Sequence, residues 1–69
     1  MQNKFPERLK ELRMARGLTQ AQLAKKIGFS HVAIYNWEIG DRLPNIESIM
    51  TVAKYFSVTT DYLVGMTNE

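Results

Sequence analysis

The sequence predicts an all-α fold in which five short helices form a compact bundle. Apolar residues recur at steps of three and four along most of the 69-residue chain, as they do on the buried face of a helix. Residues typical of helix starts and helix ends bound each of these periodic segments. A chain of this length forms one domain, residues 1–69, and we expect its ends, about residues 1–4 and 66–69, to fray.

The first helix is predicted from Phe5, Leu9 and Leu12, which follow one another at steps of four and three residues. Pro6 is tolerated in the first turn of a helix, because the N–H that proline lacks would be unpaired there in any case. The helix is expected to end near Gly17.

The second helix begins after Thr19, a good N-cap that forms a capping box with Gln22 three residues later. Leu23 and Ile27 lie four residues apart on its buried face. Gly28 then ends the helix, because glycine readily adopts the left-handed backbone conformation found at helix ends. This spacing predicts two short helices that meet at a corner, rather than one long amphipathic helix.

The third helix is capped by Ser30 and buries Ile34 and Trp37, which lie three residues apart. A tryptophan can also stack on a nucleobase, but the spacing from Ile34 favours a place in the core. The opposite face of this helix carries four side chains of mixed chemistry. They are His31, Val32, Tyr35 and Asn36.

Two further helices complete the bundle. Residues 40–44 interrupt the periodicity, and Asn45 can cap a fourth helix. Its inward positions are Ile49, Val52, Ala53 and Phe56. A fifth helix is predicted over about residues 60–64, with Thr59 as its N-cap and Gly65 at its end.

Composition bears on the kind of site that the chain can form. The chain has no cysteine and one histidine, so we expect no disulfide, no metal site and no cofactor. No apolar run approaches the roughly 20 residues of a membrane span, and the N-terminus lacks the apolar core of a secretory signal. We therefore expect a cytoplasmic protein that does not enter the membrane.

Charge is distributed unevenly along the chain. Residues 1–42 contain eight of the nine Lys and Arg and four of the seven Asp and Glu, a net charge of +4, whereas residues 43–69 carry −2. This asymmetry suits a nucleic-acid face at one end of the molecule, and it suits many neutral partners equally well.

The corner between the second and third helices indicates a function. Two helices joined by a short turn containing glycine, with polar side chains on the second, form the geometry that places a helix in the DNA major groove. From Gln20 onward the sequence resembles the phage-repressor type of helix-turn-helix found in the Cro/CI-like (XRE-type) family. The resemblance is carried by Leu23, Ala24, Ile27, Gly28, Phe29, Ile34 and Trp37, with the flanking segments Leu18-Thr19-Gln20 and Trp37-Glu38-Ile39-Gly40.

The resemblance implies a lambda-repressor-like DNA-binding fold with the helix-turn-helix at helices 2 and 3. It places His31, Val32 and Asn36 at the positions that contact DNA bases, and Tyr35, on the same face, is predicted to join them. Asn36 can pair with adenine and Val32 can pack on a thymine methyl group, whereas Tyr35 either reaches the DNA or covers the helix surface. It places Gln20 against a DNA phosphate, and Ser30 and Arg42, which flank the third helix, are predicted to contact phosphates as well.

Other charged residues have different expected roles. The resemblance implies a partly buried salt bridge between Arg13 of the first helix and Glu38 at the end of the third, and the alternative is two solvated charges. Lys25 and Lys26 are interpreted as a solvated face that adds diffuse attraction to DNA at most.

The resemblance therefore implies a sequence-specific double-stranded-DNA-binding transcriptional regulator, most simply a phage-type, prophage-type or bacterial repressor that occupies its operator. Specific recognition normally needs two copies on a palindromic operator, so we expect a homodimer. Its interface is expected at Tyr62, Val64 and Met66, unless these are ordinary exposed apolar residues. The alternative function is an antitoxin-like or other protein-binding module with the same fold. An enzyme is not expected, because Ser30 and His31 have no evident carboxylate partner.

Overall fold

The computed structural model describes residues 3–68, and within that range the chain forms five helices and no strand. In order, they are α1 (Phe5–Ala15), α2 (Gln20–Ile27), α3 (His31–Ile39), α4 (Ile46–Phe56) and α5 (Thr60–Val64). The predicted all-α fold and the predicted order of helices are confirmed. Residues 1, 2 and 69, which belong to the ends expected to fray, lie outside the described residues.

Side-chain caps begin four of the five helices at the predicted positions. The capping residues are Thr19, Ser30, Asn45 and Thr59. The capping box is complete at α2, where the Gln22 N–H donates to Thr19 Oγ1 at 3.0 Å and the Thr19 N–H donates to Gln22 Oε1 at 2.8 Å. The start of α1 differs, because Asn3 Oδ1 accepts from the Phe5 N–H at 2.8 Å while Lys4 provides no side-chain cap.

The corner between α2 and α3 depends on Gly28. Its φ of 79° lies in the left-handed region, where a residue with a Cβ is strained. The N–H groups of Gly28 and Phe29 both donate to the Ala24 carbonyl, each at 2.9 Å, and this closes the end of α2. Ser30 then starts α3 two residues later, so the two helices form a helix-turn-helix.

The core draws residues from all five helices. It comprises Phe5, Leu9, Leu23, Ala24, Ile34, Trp37, Val52, Ala53, Phe56 and Leu63. Trp37 is 6% exposed, and its ring meets those of Phe5 and Phe29 edge-on, with centroids 5.9 and 5.0 Å apart. The prediction that Trp37 belongs to the core is confirmed. Since α3 packs through Ile34 and Trp37, its opposite face is directed away from the core.

Arg8 joins α1 to the C-terminal end of the described chain. Its Nη1 donates to the carbonyl oxygens of Tyr62 and Thr67, the latter at 2.7 Å, and its Nη2 donates to Asn68 Oδ1 at 3.2 Å. The guanidinium also lies 4.3 Å from the centroid of the Tyr62 ring. Part of the C-terminal segment that we expected to fray therefore makes side-chain and backbone contacts with the first helix.

Ser57 ends α4 in the left-handed conformation, with a φ of 57°, and is the one non-glycine residue with positive φ in the described range. This conformation costs an L-residue about 1–2 kcal/mol, whereas glycine adopts it readily but loses more entropy on folding. We expect Ser57→Gly to raise the free energy of unfolding by about 0.5–1 kcal/mol, measured by urea denaturation. Ser57→Ala is the control because it keeps the strain. Equal stability of the glycine and alanine variants would contradict this explanation.

Candidate nucleic-acid interface

The outward face of α3 consists of the four side chains that the sequence assigned to DNA bases. His31, Val32 and Tyr35 are exposed, and Asn36 is half-buried. Val32 and Tyr35 retain 54% and 49% of their accessible surface, a large exposure for apolar and aromatic side chains. The face therefore combines hydrogen-bonding groups with apolar contact surface, as the edges of base pairs require.

Ser30 caps α3 through its hydroxyl oxygen and keeps a hydroxyl proton to donate. Its Oγ accepts the Ala33 N–H at 3.1 Å and so caps the helix. Because a hydroxyl accepts through its lone pairs, the proton of Ser30 remains available to a further acceptor such as a phosphate oxygen. The side chain is exposed, so this donor is accessible from solvent.

Arg42 follows the C-terminal end of α3 and is exposed. Gly40 ends the helix in the left-handed conformation, and the N–H groups of Asp41 and Arg42 reach the Asn36 carbonyl at 3.0 and 3.4 Å. The backbone that carries Arg42 is thus bonded to the same residue whose side chain lies on the outward face. Ser30 and Arg42 consequently flank the two ends of that face.

Arg13 and Glu38 form a two-point ion pair between α1 and α3. Arg13 Nε lies 2.7 Å from Glu38 Oε2, and Arg13 Nη2 lies 3.0 Å from Glu38 Oε1. The two side chains are 11% and 3% exposed, so they are not the two solvated charges that the sequence left as an alternative. Arg13 Nη1 also donates to the Leu18 carbonyl at 2.7 Å. The pair therefore joins α1, the turn before α2 and the last turn of α3.

Gln20, assigned to DNA phosphate from the sequence, directs its carboxamide toward the same carboxylate. Its Nε2 donates to Glu38 Oε1 at 3.1 Å. Gln20 remains half-buried at the first residue of α2, so part of it is still accessible. This inward hydrogen bond was not predicted, because the sequence gives no spacing rule for a pair 18 residues apart.

Glu38 also changes the protonation equilibrium of Arg13. The hydrogen bond from Arg13 to Glu38, helped by the opposite charge, raises the pKa of the guanidinium above its ordinary value, although burial acts in the other direction. A raised pKa favours the charged form in the folded state, so this stabilisation is fully present below the ordinary arginine pKa and is lost in strong alkali. The charge of Arg13 is therefore constant throughout the neutral range.

Arg16 and the two lysines of α2 differ in the contacts that their side chains make. The Arg16 guanidinium lies 4.9 Å from the ring centroids of both Tyr55 and Phe56, where it packs against α4. Lys25 and Lys26 are exposed in the last turn of α2. Arg16 is therefore engaged in packing, whereas the two lysines extend into solvent.

An apolar groove lies between α4 and α5. It has a volume of about 380 Å³ and is lined by Ile46, Ile49, Met50, Thr60 and Val64. Ile46 and Met50 are 75% and 57% exposed. Of the three residues expected at a dimer interface, Val64 lines the groove, Met66 is exposed, and Tyr62 is half-buried with its ring under Arg8. The structure thus associates Val64 with Ile46 and Met50, which the sequence did not single out, and with Ile49, which was predicted to point inward and is half-buried.

Two other structural features are absent from residues 3–68. No group of three or more acidic, histidine or cysteine side chains is arranged to hold a metal ion in this range. None of the described helices is long and apolar enough to cross a membrane.

The chain is similar to known transcriptional regulators. The family described as Helix-turn-helix matches residues 9–63. The HTH-type transcriptional activator BcrR of Enterococcus faecalis is 46% identical over 61 residues, which are 88% of this chain and 30% of BcrR. The cryptic phage CTXphi transcriptional repressor RstR of Vibrio cholerae is 37% identical over 62 residues, which are 90% of this chain and 55% of RstR. The chain therefore spans less than two thirds of the length of either relative.

A solved structure with the same architecture includes DNA. The P22 c2 repressor in complex with the synthetic operator 9T superposes with a TM-score of 0.82 at 35% identity, covering 87% of this chain and 91% of that chain. A transcriptional regulator from Listeria innocua superposes with a TM-score of 0.88 at 30% identity, covering 100% of this chain and 64% of that chain. The fold and the position of the helix-turn-helix are thus shared with proteins of this kind.

The ion pair gives a testable stability prediction. Arg13→Met and Glu38→Met each leave a largely buried charge without its partner, so each should lower the free energy of unfolding by about 3–5 kcal/mol. The double variant removes both charges and should lose much less than the sum of the single variants. Urea denaturation of all four proteins measures the coupling, with exposed Lys10→Met as the control for a methionine at the surface of α1. Additive losses below 1 kcal/mol would contradict the assigned role.

Proposed function

The chain belongs to the helix-turn-helix family, and from that premise and the geometry of α3 we propose that it is a sequence-specific, double-stranded-DNA-binding transcriptional regulator. The observation that carries the proposal is the outward face of α3. This helix buries Ile34 and Trp37, meets α2 at Gly28, and exposes a face of hydrogen-bonding and apolar side chains flanked by Ser30 and Arg42. A protein of the same fold has been solved on its operator, which supports α3 as the helix that enters the major groove.

The outward face suits the chemistry of base edges. A carboxamide at Asn36 can pair bidentately with the N6 and N7 atoms of adenine, an interaction worth about 1–3 kcal/mol against other bases. Val32 can pack on a thymine methyl group, and His31 can donate to a purine acceptor. Tyr35 adds either a hydroxyl contact with the DNA or ring surface next to these groups.

Phosphate contacts supply most of the affinity in this proposal. Ser30 offers a hydroxyl proton at one end of α3, and Arg42 offers a positive charge at the other. Gln20 offers the accessible part of its carboxamide at the start of α2. The net charge of +4 on residues 1–42 attracts the duplex to the same half of the chain.

We interpret the biological outcome as repression by occupancy of an operator in the cytoplasm. RstR and the P22 c2 protein are named repressors, which supports this direction of regulation. BcrR is a named activator, so the shared domain is compatible with either direction. A protein bound across an operator excludes the polymerase without a further surface, and this makes repression the simpler mechanism.

We further propose that two copies bind a palindromic operator. Their recognition helices would lie about 34 Å apart, one DNA turn, whereas the chain measures 28 × 23 × 20 Å. Neighbouring copies on one face of the duplex therefore lie close together. Residues 40–45 lead directly from the end of α3 to Ile46, which lines the apolar groove. We assign this groove, with Val64 in its lining, to the contact with the second copy.

Two substitutions separate base contacts from phosphate contacts. Selection of binding sites from random duplex DNA should show that Asn36→Ala relaxes preference at one base-pair position per half-site. Arg42→Ala should weaken binding to all sequences alike and reduce the salt dependence by about one phosphate contact. Lys54→Ala removes the same charge from the last turn of α4, at a residue not assigned to DNA, and is the matched control. Identical losses from Asn36→Ala and Arg42→Ala on every sequence would contradict the assigned roles.

The dimer contact can be tested without disturbing the recognition helix. Met50→Glu places a charge in the apolar groove, where contact with a second copy would bury it without a partner. Because a buried unpaired charge is strongly unfavourable, the variant should lose cooperative binding to a full palindrome. Its affinity for an isolated half-site should stay within about twofold of wild type. Thr51→Glu adds the same charge at an adjacent exposed position of α4 and serves as the control. Gel-shift titrations of half-site and full-site duplexes measure both quantities. Undiminished cooperativity in Met50→Glu would refute the assignment of the groove.

A further inference from the structure

Glu38 accepts hydrogen bonds from two different elements of the bundle. Arg13 occupies both carboxylate oxygens, and Gln20 Nε2 adds a third donor at Oε1, 3.1 Å away. The Glu38 side chain is 3% exposed, so these protein groups replace nearly all of its contact with water. The ion pair with Arg13 joins α1 to α3, whereas the bond from Gln20 fixes the orientation of the Gln20 carboxamide.

The carboxamide of Gln20 has one possible orientation toward Glu38. An ionised carboxylate accepts hydrogen bonds and cannot donate them, so Gln20 must present its nitrogen, and not its oxygen, to Glu38. One N–H is then used inward, and the second N–H of the same nitrogen is left for another acceptor. Gln20 is half-buried at the first residue of α2, so part of its side chain is accessible at the start of that helix.

We propose that Glu38 is a positioning residue for phosphate binding, which holds the Gln20 carboxamide so that its second N–H meets a DNA phosphate oxygen. This inference rests on the proposed DNA-binding function and adds a device to it. A side chain that is ordered before binding loses less conformational entropy in the complex, a gain of about two- to tenfold in affinity. Since Glu38 belongs to α3, the phosphate contact from α2 is also kept in register with the base contacts from α3.

The free protein provides the first test. Nuclear magnetic resonance relaxation of the side-chain carboxamide groups measures their mobility before DNA is added. For Gln20 we expect an order parameter approaching the value of about 0.85 found for rigid backbone. The carboxamide of Asn36 makes no hydrogen bond within residues 3–68, so we expect a clearly lower order parameter for it. An order parameter of Gln20 below about 0.6, or equal to that of Asn36, would overturn the proposal.

DNA binding provides the second test, with two variants of Gln20. Gln20→Met keeps the length of the side chain without the amide, and Gln20→Asn keeps the amide but is one methylene too short to reach Glu38. Both should bind every duplex about tenfold more weakly than wild type, with unchanged base preference. The salt dependence should also stay unchanged, because no charge is removed. A purely structural role would lower the thermal midpoint, which circular dichroism measures on the same samples, and would leave the DNA affinity of the folded variants at the wild-type value.

Failure of the positioning role and failure of the proposed DNA-binding function give different results. Wild-type affinity in Gln20→Asn would show that an unpositioned amide is sufficient and would overturn the role of Glu38 alone. A wild-type chain that binds no duplex would refute the proposed function itself, and the positioning role with it. Equal weakening of both variants, together with a rigid Gln20 carboxamide in the free protein, is the result that supports the proposal.

Discussion

The ion pair between Arg13 and Glu38 is the interaction on which the geometry of this small bundle depends most directly. A helix of nine residues such as α3 is not stable in isolation, so its orientation must come from tertiary contacts. The carboxylate of Glu38 receives donors from α1 and from the first residue of α2, and its side chain is almost fully enclosed. One buried group therefore sets the relation of three helices. The same enclosure makes the loss of either charge far more damaging than the loss of an exposed pair.

Two further constraints decide which side of α3 faces outward. Ile34 and Trp37 bury one face of the helix, and the edge-on contacts of Trp37 with Phe5 and Phe29 restrict its rotation. Gly28 ends α2 in a conformation that a residue with a Cβ adopts at a cost, so the corner itself is specified locally. The proposed DNA face is what remains exposed once packing, turn and ion pair are satisfied. The exposure of this face therefore follows from the fold.

Much of this architecture could be predicted from sequence, because its signals are local. Apolar spacing located the five helices, and the caps at Thr19 and Ser30 placed the starts of α2 and α3 within the helix-turn-helix. The resemblance to the XRE-type family is confirmed as well. Contacts between distant segments were missed: Arg8 reaches residues 62–68, and Gln20 turns inward to Glu38. Such pairs leave no periodic trace, and the exposure of Ile46 in the groove depends on how α5 packs beside α4.

The most direct test of the account is to map where DNA touches the chain. Backbone amide chemical shifts would be recorded during titration with a duplex obtained by site selection. We expect the largest changes on residues 30–36 and on Gln20 and Arg42, with smaller changes at the groove between α4 and α5. Large changes confined to α4 and α5, with α3 unaffected, would contradict the claim that α3 is the helix that contacts DNA.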